Sequence, residues 1–96
     1  MSYGIVNCFK GGTKEQYDAT VEKVHPGNNG VPPGQTHRVA GETGDGFVVC
    51  AVWESKGAWD KFREGTLFPA FAELGDKGLP GPPEMWEFEV HNEAHA

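Results

Sequence analysis

The sequence is poor in the residues that usually build a core. It has three Leu and one Ile, and with nine Val and six Phe these four types reach only 19 of 96 residues. That fraction sits at the border below which chains stay disordered. The three Trp and two Tyr move the balance toward a folded chain, because each ring brings a large apolar area. Basic residues are scarce as well: 8 against 14 acidic ones, for a net charge of −6. A nucleic-acid footprint needs clustered Lys and Arg, and so does an anionic membrane surface, so the balance argues against both partners. No apolar run reaches the length of a membrane-spanning helix. The N-terminus, Met1-Ser2-Tyr3-Gly4, lacks the basic and apolar regions of a signal peptide, and a cytoplasmic location is expected. Cys8 and Cys50 are the only cysteines. Both lie inside apolar stretches and read as buried free thiols rather than a disulfide.

Gly and Pro, by contrast, are plentiful at 14 and 7 residues. The reading is one folded domain over 1–96 with generous loops, of which 91–96 form a flexible tail. Residues 3–9 read as a strand, apolar on both faces. Gly11-Gly12 breaks it, and Thr13-Lys14-Glu15-Gln16 has the form of a capping box. Tyr17, Val21 and Val24 then mark one buried helical stripe, which His25-Pro26-Gly27 ends. Residues 26–35 form a Pro/Gly/Asn-rich loop long enough to be a lid or a frayed segment. A second strand runs from about Thr36 to Glu42. Thr43-Gly44-Asp45-Gly46 is a hairpin turn. The third strand, Phe47 to Trp53, is continuously apolar and therefore central. Ser55 caps the next helix, with Ala58, Trp59, Phe62 and Thr66 at helical spacing. Pro69 predicts a kink or restart, with Phe68, Phe71 and Leu74 on the second piece and Gly75 as the stop. Glu84 to Val90 alternates as the last strand.

The order β-α-β-β-α-β predicts an α+β, ferredoxin-like fold: a four-stranded antiparallel sheet with both helices on one face. The third strand is apolar on both sides, so the other face needs cover. A symmetric homodimer burying that face is the expected answer.

The segment Val52-Trp53-Glu54-Ser55, followed by Ala58-Trp59 and Phe62, resembles the dimeric α/β-barrel superfamily, and within it the antibiotic biosynthesis monooxygenase (ABM) domains. The hairpin 46–55 and the closing strand near Phe88-Glu89-Val90 fit the same template, and the likeness spans roughly residues 3–91. The resemblance implies protomers that pair into a barrel and a pocket in each between sheet and helices. Some members oxygenate polycyclic aromatic substrates without metal or flavin, so no cofactor is expected; others cleave haem, and others are isomerases, dehydratases or proteins with no known reaction. Haem-degrading members use an Asn on the first strand, matched by Asn7, and a Trp and a ligating His on the second helix, where this chain has Phe62 and Ala72.

The density of aromatic residues is the main functional hint. A pocket walled by Trp53, Trp59, Phe62, Phe68 and Trp86, with Tyr17 nearby, suits a small flat aromatic or quinol-type molecule. His37 shares a strand face with Val39 and Gly41 and is the candidate base. Asn7, flanked by apolar residues, is the candidate orienting group and needs a hydrogen-bond partner. These two are the candidate catalytic residues. Arg38 and Glu42, on the strand face opposite His37, read as solvated or as an ion pair across the dimer. No metal site is expected: His91 and His95 are four apart but lack a helix cap or a cysteine nearby. No Gly-rich phosphate fingerprint is present. The same fold without catalysis, as a binding or interaction dimer, is the alternative reading.

Overall fold

The computed structural model describes residues 2–24, 32–80 and 83–94. The elements are β1 (Tyr3–Lys10), α1 (Lys14–Val24), β2 (Gln35–Glu42), β3 (Gly46–Trp53), α2 (Lys56–Phe62), a π-helical segment (Arg63–Leu67), α3 (Phe68–Leu74), a 3-10 turn (Gly75–Lys77) and β4 (Glu84–Glu89). The sheet order is β2-β3-β1-β4, and every neighbouring pair is antiparallel. This is the expected ferredoxin-like α+β arrangement. Most of the expected lid at 26–35, the helix stop at 25–27 and the tip of the tail lie outside the described residues. Among the described residues no helix is long and apolar enough to cross a membrane.

Local chemistry explains the helix starts. The Gln16 amide N–H donates to the Thr13 hydroxyl at 3.1 Å, and the Thr13 N–H donates back to Gln16 Oε1 at 3.0 Å. Two otherwise orphaned N–H groups are thereby satisfied. Ser55 Oγ accepts from the Ala58 N–H at 3.1 Å and caps α2. The kink or restart expected at Pro69 takes the form of a π-helical segment between α2 and α3. The chain stays helical, and the turn before Pro69 widens: the Phe68 N–H reaches back five residues to the Arg63 carbonyl. Proline clashes with the carbonyl four residues back, and a π turn relieves this without ending the helix. Gly75, at φ 54°, closes α3. Its positive φ costs glycine little and other residues much more.

The two sheet faces have different fates. Tyr3, Ile5 and Phe9 of β1 and Phe47, Ala51 and Trp53 of β3 are buried under the helices. Trp53, at 1% exposure, is among the most deeply buried. Two apolar clusters result. One joins Tyr3, Ile5, Ala51, Trp53 and Trp59; the other joins Phe9, Phe47 and Leu79. On the opposite face Val39, Trp86 and Phe88 stay 66%, 52% and 50% exposed. Phe88 lies across Gly4, its cross-strand partner, so closely that a β-carbon at Gly4 would sit 2.4 Å from the ring. Both cysteines are free and half-buried.

Candidate functional site

The inner face of the sheet and the helices frame a half-open cavity of about 70 Å³. Its floor is the inward set of two central strands, Ile5, Asn7 and Phe9 from β1 and Val49, Ala51 and Trp53 from β3. Its roof comes from Tyr17, Thr20, Val21 and Val24 of α1, Trp59 and Phe62 of α2, then Leu67, Phe71 and Leu79. Gln35 and Arg38 of β2 close one side. The Tyr17-Val21-Val24 stripe read from the sequence thus faces the cavity. Thr20 is buried on the same helix because both roles of its hydroxyl are filled: it donates to the Gln16 carbonyl at 2.9 Å and accepts from the Leu79 N–H at 3.3 Å.

The rings are packed, not scattered. Trp53 lies 5.6 Å from Trp59 and 5.0 Å from Phe62, both tilted, and Tyr17 stacks on Phe47 at 4.9 Å. Within this apolar wall three polar atoms are buried without a hydrogen-bond partner: Asn7 Oδ1, Trp53 Nε1 and Trp59 Nε1. All three residues line the cavity. Leaving such a group unpaired costs roughly 1–3 kcal/mol, so native proteins keep few of them. One acceptor and two donors on an otherwise apolar wall match a flat molecule with an oxygen substituent.

A second polar group braces the end of the site. The Tyr3 hydroxyl donates to Glu87 Oε1 at 2.8 Å. The hydrogen bond to that carboxylate holds the phenol above its ordinary pKa, with burial adding to the effect. Glu87 Oε2 lies 3.6 Å from the Arg63 guanidinium, which bonds Asp60 at 3.2 Å. Arg63 also covers Trp59, 5.7 Å from its ring centre. The outer side of one cavity wall is therefore fixed by a cation on an indole face.

The sequence-derived site residues fall into two groups. Asn7, Tyr17, Trp53, Trp59 and Phe62 come together around the cavity. His37, Phe68 and Trp86 do not line it. His37 pairs with Val52, on the sheet face away from the helices, and its Nδ1 lies 3.4 Å from the Thr36 hydroxyl. The base expected of it is thus across the sheet from the cavity. Trp86 shares that outer face, opposite Val6. Phe68 is 55% exposed on the outside of α3, 6.0 Å from the Arg63 guanidinium. Ala72 is exposed, and among the described residues no histidine lines the cavity, so the residues present do not fit that group.

Arg38 lies at the cavity and not on the solvated surface expected of it, and Gln35 lies there beside it. The pairing of β2 with β3 slips between Gln35 and His37. Gln35 opposes Trp53 while Arg38 opposes Ala51, which puts two residues three apart on one face. A β-bulge does this by adding a residue to one strand only. Gln35 is buried, and its Oε1 accepts from Arg38 Nη1 at 3.2 Å. Arg38 is therefore half-buried at the cavity, not on a solvated surface.

No protein-family model and no curated protein sequence matches this chain. Solved structures do. Rv0793 from Mycobacterium tuberculosis superposes with a TM-score of 0.68 at 18% identity, over 99% of this chain and 100% of that one. SnoaB, a cofactor-independent oxygenase from Streptomyces nogalater, gives 0.64 at 16% identity, over 96% and 95%. ActVA-Orf6, a monooxygenase of Streptomyces coelicolor solved with nanaomycin D, gives 0.58 at 24% identity, over 99% and 91%. At these identities the likeness speaks for architecture and not for reaction. This chain has the ferredoxin-like α+β fold that these solved structures share.

Proposed function

We propose that residues 1–96 form one ABM-like domain that binds a small flat aromatic or quinol-type molecule between sheet and helices and promotes its oxygenation by dioxygen without a bound cofactor. The observation that carries this is the set of three unpaired polar atoms, on Asn7, Trp53 and Trp59, in the wall of an aromatic cavity. The two indole N–H groups would hold a carbonyl or phenolate oxygen of the guest, and Asn7 Oδ1 would accept from a hydroxyl. The chemistry rests in the substrate. Its deprotonated, electron-rich ring reacts with dioxygen; a methylene becomes a carbonyl with one oxygen atom, and the other leaves as water with the two hydrogens. The protein orients the ring and favours its ionised form. The oxygenases SnoaB and ActVA-Orf6, which share the fold, support this reading.

The partner of the open face is a second copy of the chain. Val39, Trp86 and Phe88 are exposed apolar side chains on one sheet face, and the half-buried Cys50 and Val6 join Val39 to Trp86 in one row across it, a surface of the kind that a protomer in water rarely keeps. A homodimer through that face would cover them, along with the half-buried Cys8 and Cys50.

The test is oxygen uptake with anthrone as substrate. Uptake above the spontaneous rate, reduced in Asn7→Leu and in Trp53→Phe, is the expected result. Because His37 lies across the sheet, His37→Ala is expected to keep the rate. A second reading has one observation in its favour. The cavity, about 70 Å³, is about half the roughly 150 Å³ that takes up one benzene. A guest of two or more rings enters only if Trp53, Trp59 or Phe62 turns aside. Binding of anthrone with no added oxygen uptake would assign the chain to non-catalytic binding.

A further inference from the structure

We infer that the cavity selects acidic guests: the molecule it binds carries an anionic oxygen, a carboxylate or a phenolate, at the end that meets Arg38. This inference rests on the binding reading above and adds the charge of the guest to it. Acidic residues outnumber basic ones 14 to 8 in the chain. The cavity inverts that balance. Among the described residues that line it, Arg38 alone is charged, and no carboxylate is among them. A guest with a positive group would meet a like charge inside an apolar wall, and a guest with a negative group would meet its complement.

The position of Arg38 is built, not incidental. The bulge in β2 turns Gln35 and Arg38 to the same face. Gln35 is buried and holds one guanidinium nitrogen at 3.2 Å, which fixes the side chain against the rim. A guanidinium has five N–H donors in a planar fork, of which Gln35 engages one nitrogen, and a bidentate oxyanion would compete for the others. Across the strand pair stands Ala51, whose short side chain leaves the space beside Arg38 to the cavity that both residues line. Trp53 opposes Gln35 in the same ladder. A flat ring placed against Trp53 would therefore turn one edge toward the Gln35–Arg38 pair. Charge-assisted hydrogen bonds are about twice as strong as neutral ones, and more so where water is excluded. In a guest with an ionisable phenol the same contact favours the phenolate, which is the electron-rich form.

The test is a pair of probes equal in shape and different in charge: naphthoate and naphthamide, titrated by calorimetry at neutral pH. The unaltered protein is expected to prefer naphthoate by about tenfold, one charge-assisted contact. In Arg38→Gln the preference is expected to fall to about parity, with naphthamide affinity held within about twofold; Arg38→Lys keeps part of the preference. A variant that merely loosens the fold lowers both affinities alike and leaves their ratio unchanged. A ratio near one in the unaltered protein overturns the inference and leaves the cavity as a neutral aromatic site. A preference that survives in Arg38→Gln overturns it too, because the anion is then held elsewhere. If neither probe binds, the binding reading itself falls.

Discussion

Replacing Asn7 with Leu is expected to raise the stability of the protein while weakening its grip on a guest. The two side chains are close in shape, so the change leaves packing on β1 nearly intact. What it removes is a buried carbonyl oxygen that has no hydrogen-bond partner. An unpaired buried acceptor costs roughly 1–3 kcal/mol relative to an apolar group of the same shape. Relief of even about 1 kcal/mol moves the melting temperature of a domain this small up by roughly 4–8 °C. The same substitution deletes the acceptor offered to a hydroxyl of the guest, a loss of about 0.5–1.5 kcal/mol or roughly two- to tenfold in affinity. The assay is urea unfolding of both proteins without ligand, followed by far-ultraviolet circular dichroism, and then repeated with anthrone. Opposite signs in the two experiments are the signature of a residue kept for binding. A lower urea midpoint for Asn7→Leu, with unchanged slope, would show that Asn7 holds the fold, and the argument from unpaired atoms would fail with it.

Further expectations concern the frame. Ser55→Ala removes the hydroxyl that caps α2 and is expected to cost about 1 kcal/mol in denaturant unfolding; because α2 carries Trp59 and Phe62, guest affinity is expected to drop as well. Trp53→Ala empties the most enclosed ring position and is expected to cost about 3–5 kcal/mol, read from the same unfolding curves. The Tyr3 phenol is raised above 10.0 chiefly by its hydrogen bond to Glu87, so that contact stabilises the fold below the unfolded pKa and is lost as pH rises through the folded one. An alkaline titration of phenolate absorbance is expected to show a late step that disappears in Tyr3→Phe and moves down in Glu87→Gln. Paired Trp86→Lys and Phe88→Lys changes are expected to shift sedimentation toward a single protomer without altering the circular dichroism spectrum.

Much of the architecture was legible because local signals agreed with one another. The Thr13–Gln16 reciprocal cap, the Ser55 cap and the Gly75 stop each rest on the chemistry of one or two residues, and the sequence shows those directly. The aromatic wall was legible in part. Trp59 and Phe62 lie on one helix face by spacing alone, whereas Phe68, six residues beyond Phe62, falls off that face at regular helical spacing and is exposed. Alternation along β2 also separated His37 from Arg38 correctly. Which set faces the helices was not legible, because Val39 makes the His37 set look like the inward one, and in the structure that valine lies on the open face. Trp86 and Phe88 misled in the same way: apolar alternation marks a face that is covered, without saying by what. The unpaired atoms on Asn7, Trp53 and Trp59 could not be read at all, since a missing partner is a property of the packed structure.

The extra residue in β2 acts as a phase selector. Were the strand to pair in strict register from Gln35 onward, Thr36 would oppose Val52 and His37 would oppose Ala51, and an imidazole would look inward in place of the guanidinium. β2 is an edge strand, with a single neighbour to satisfy, so sliding its phase disturbs one ladder only. One insertion or deletion at this margin could therefore exchange a fixed cation for a titratable base without touching any aromatic residue of the wall.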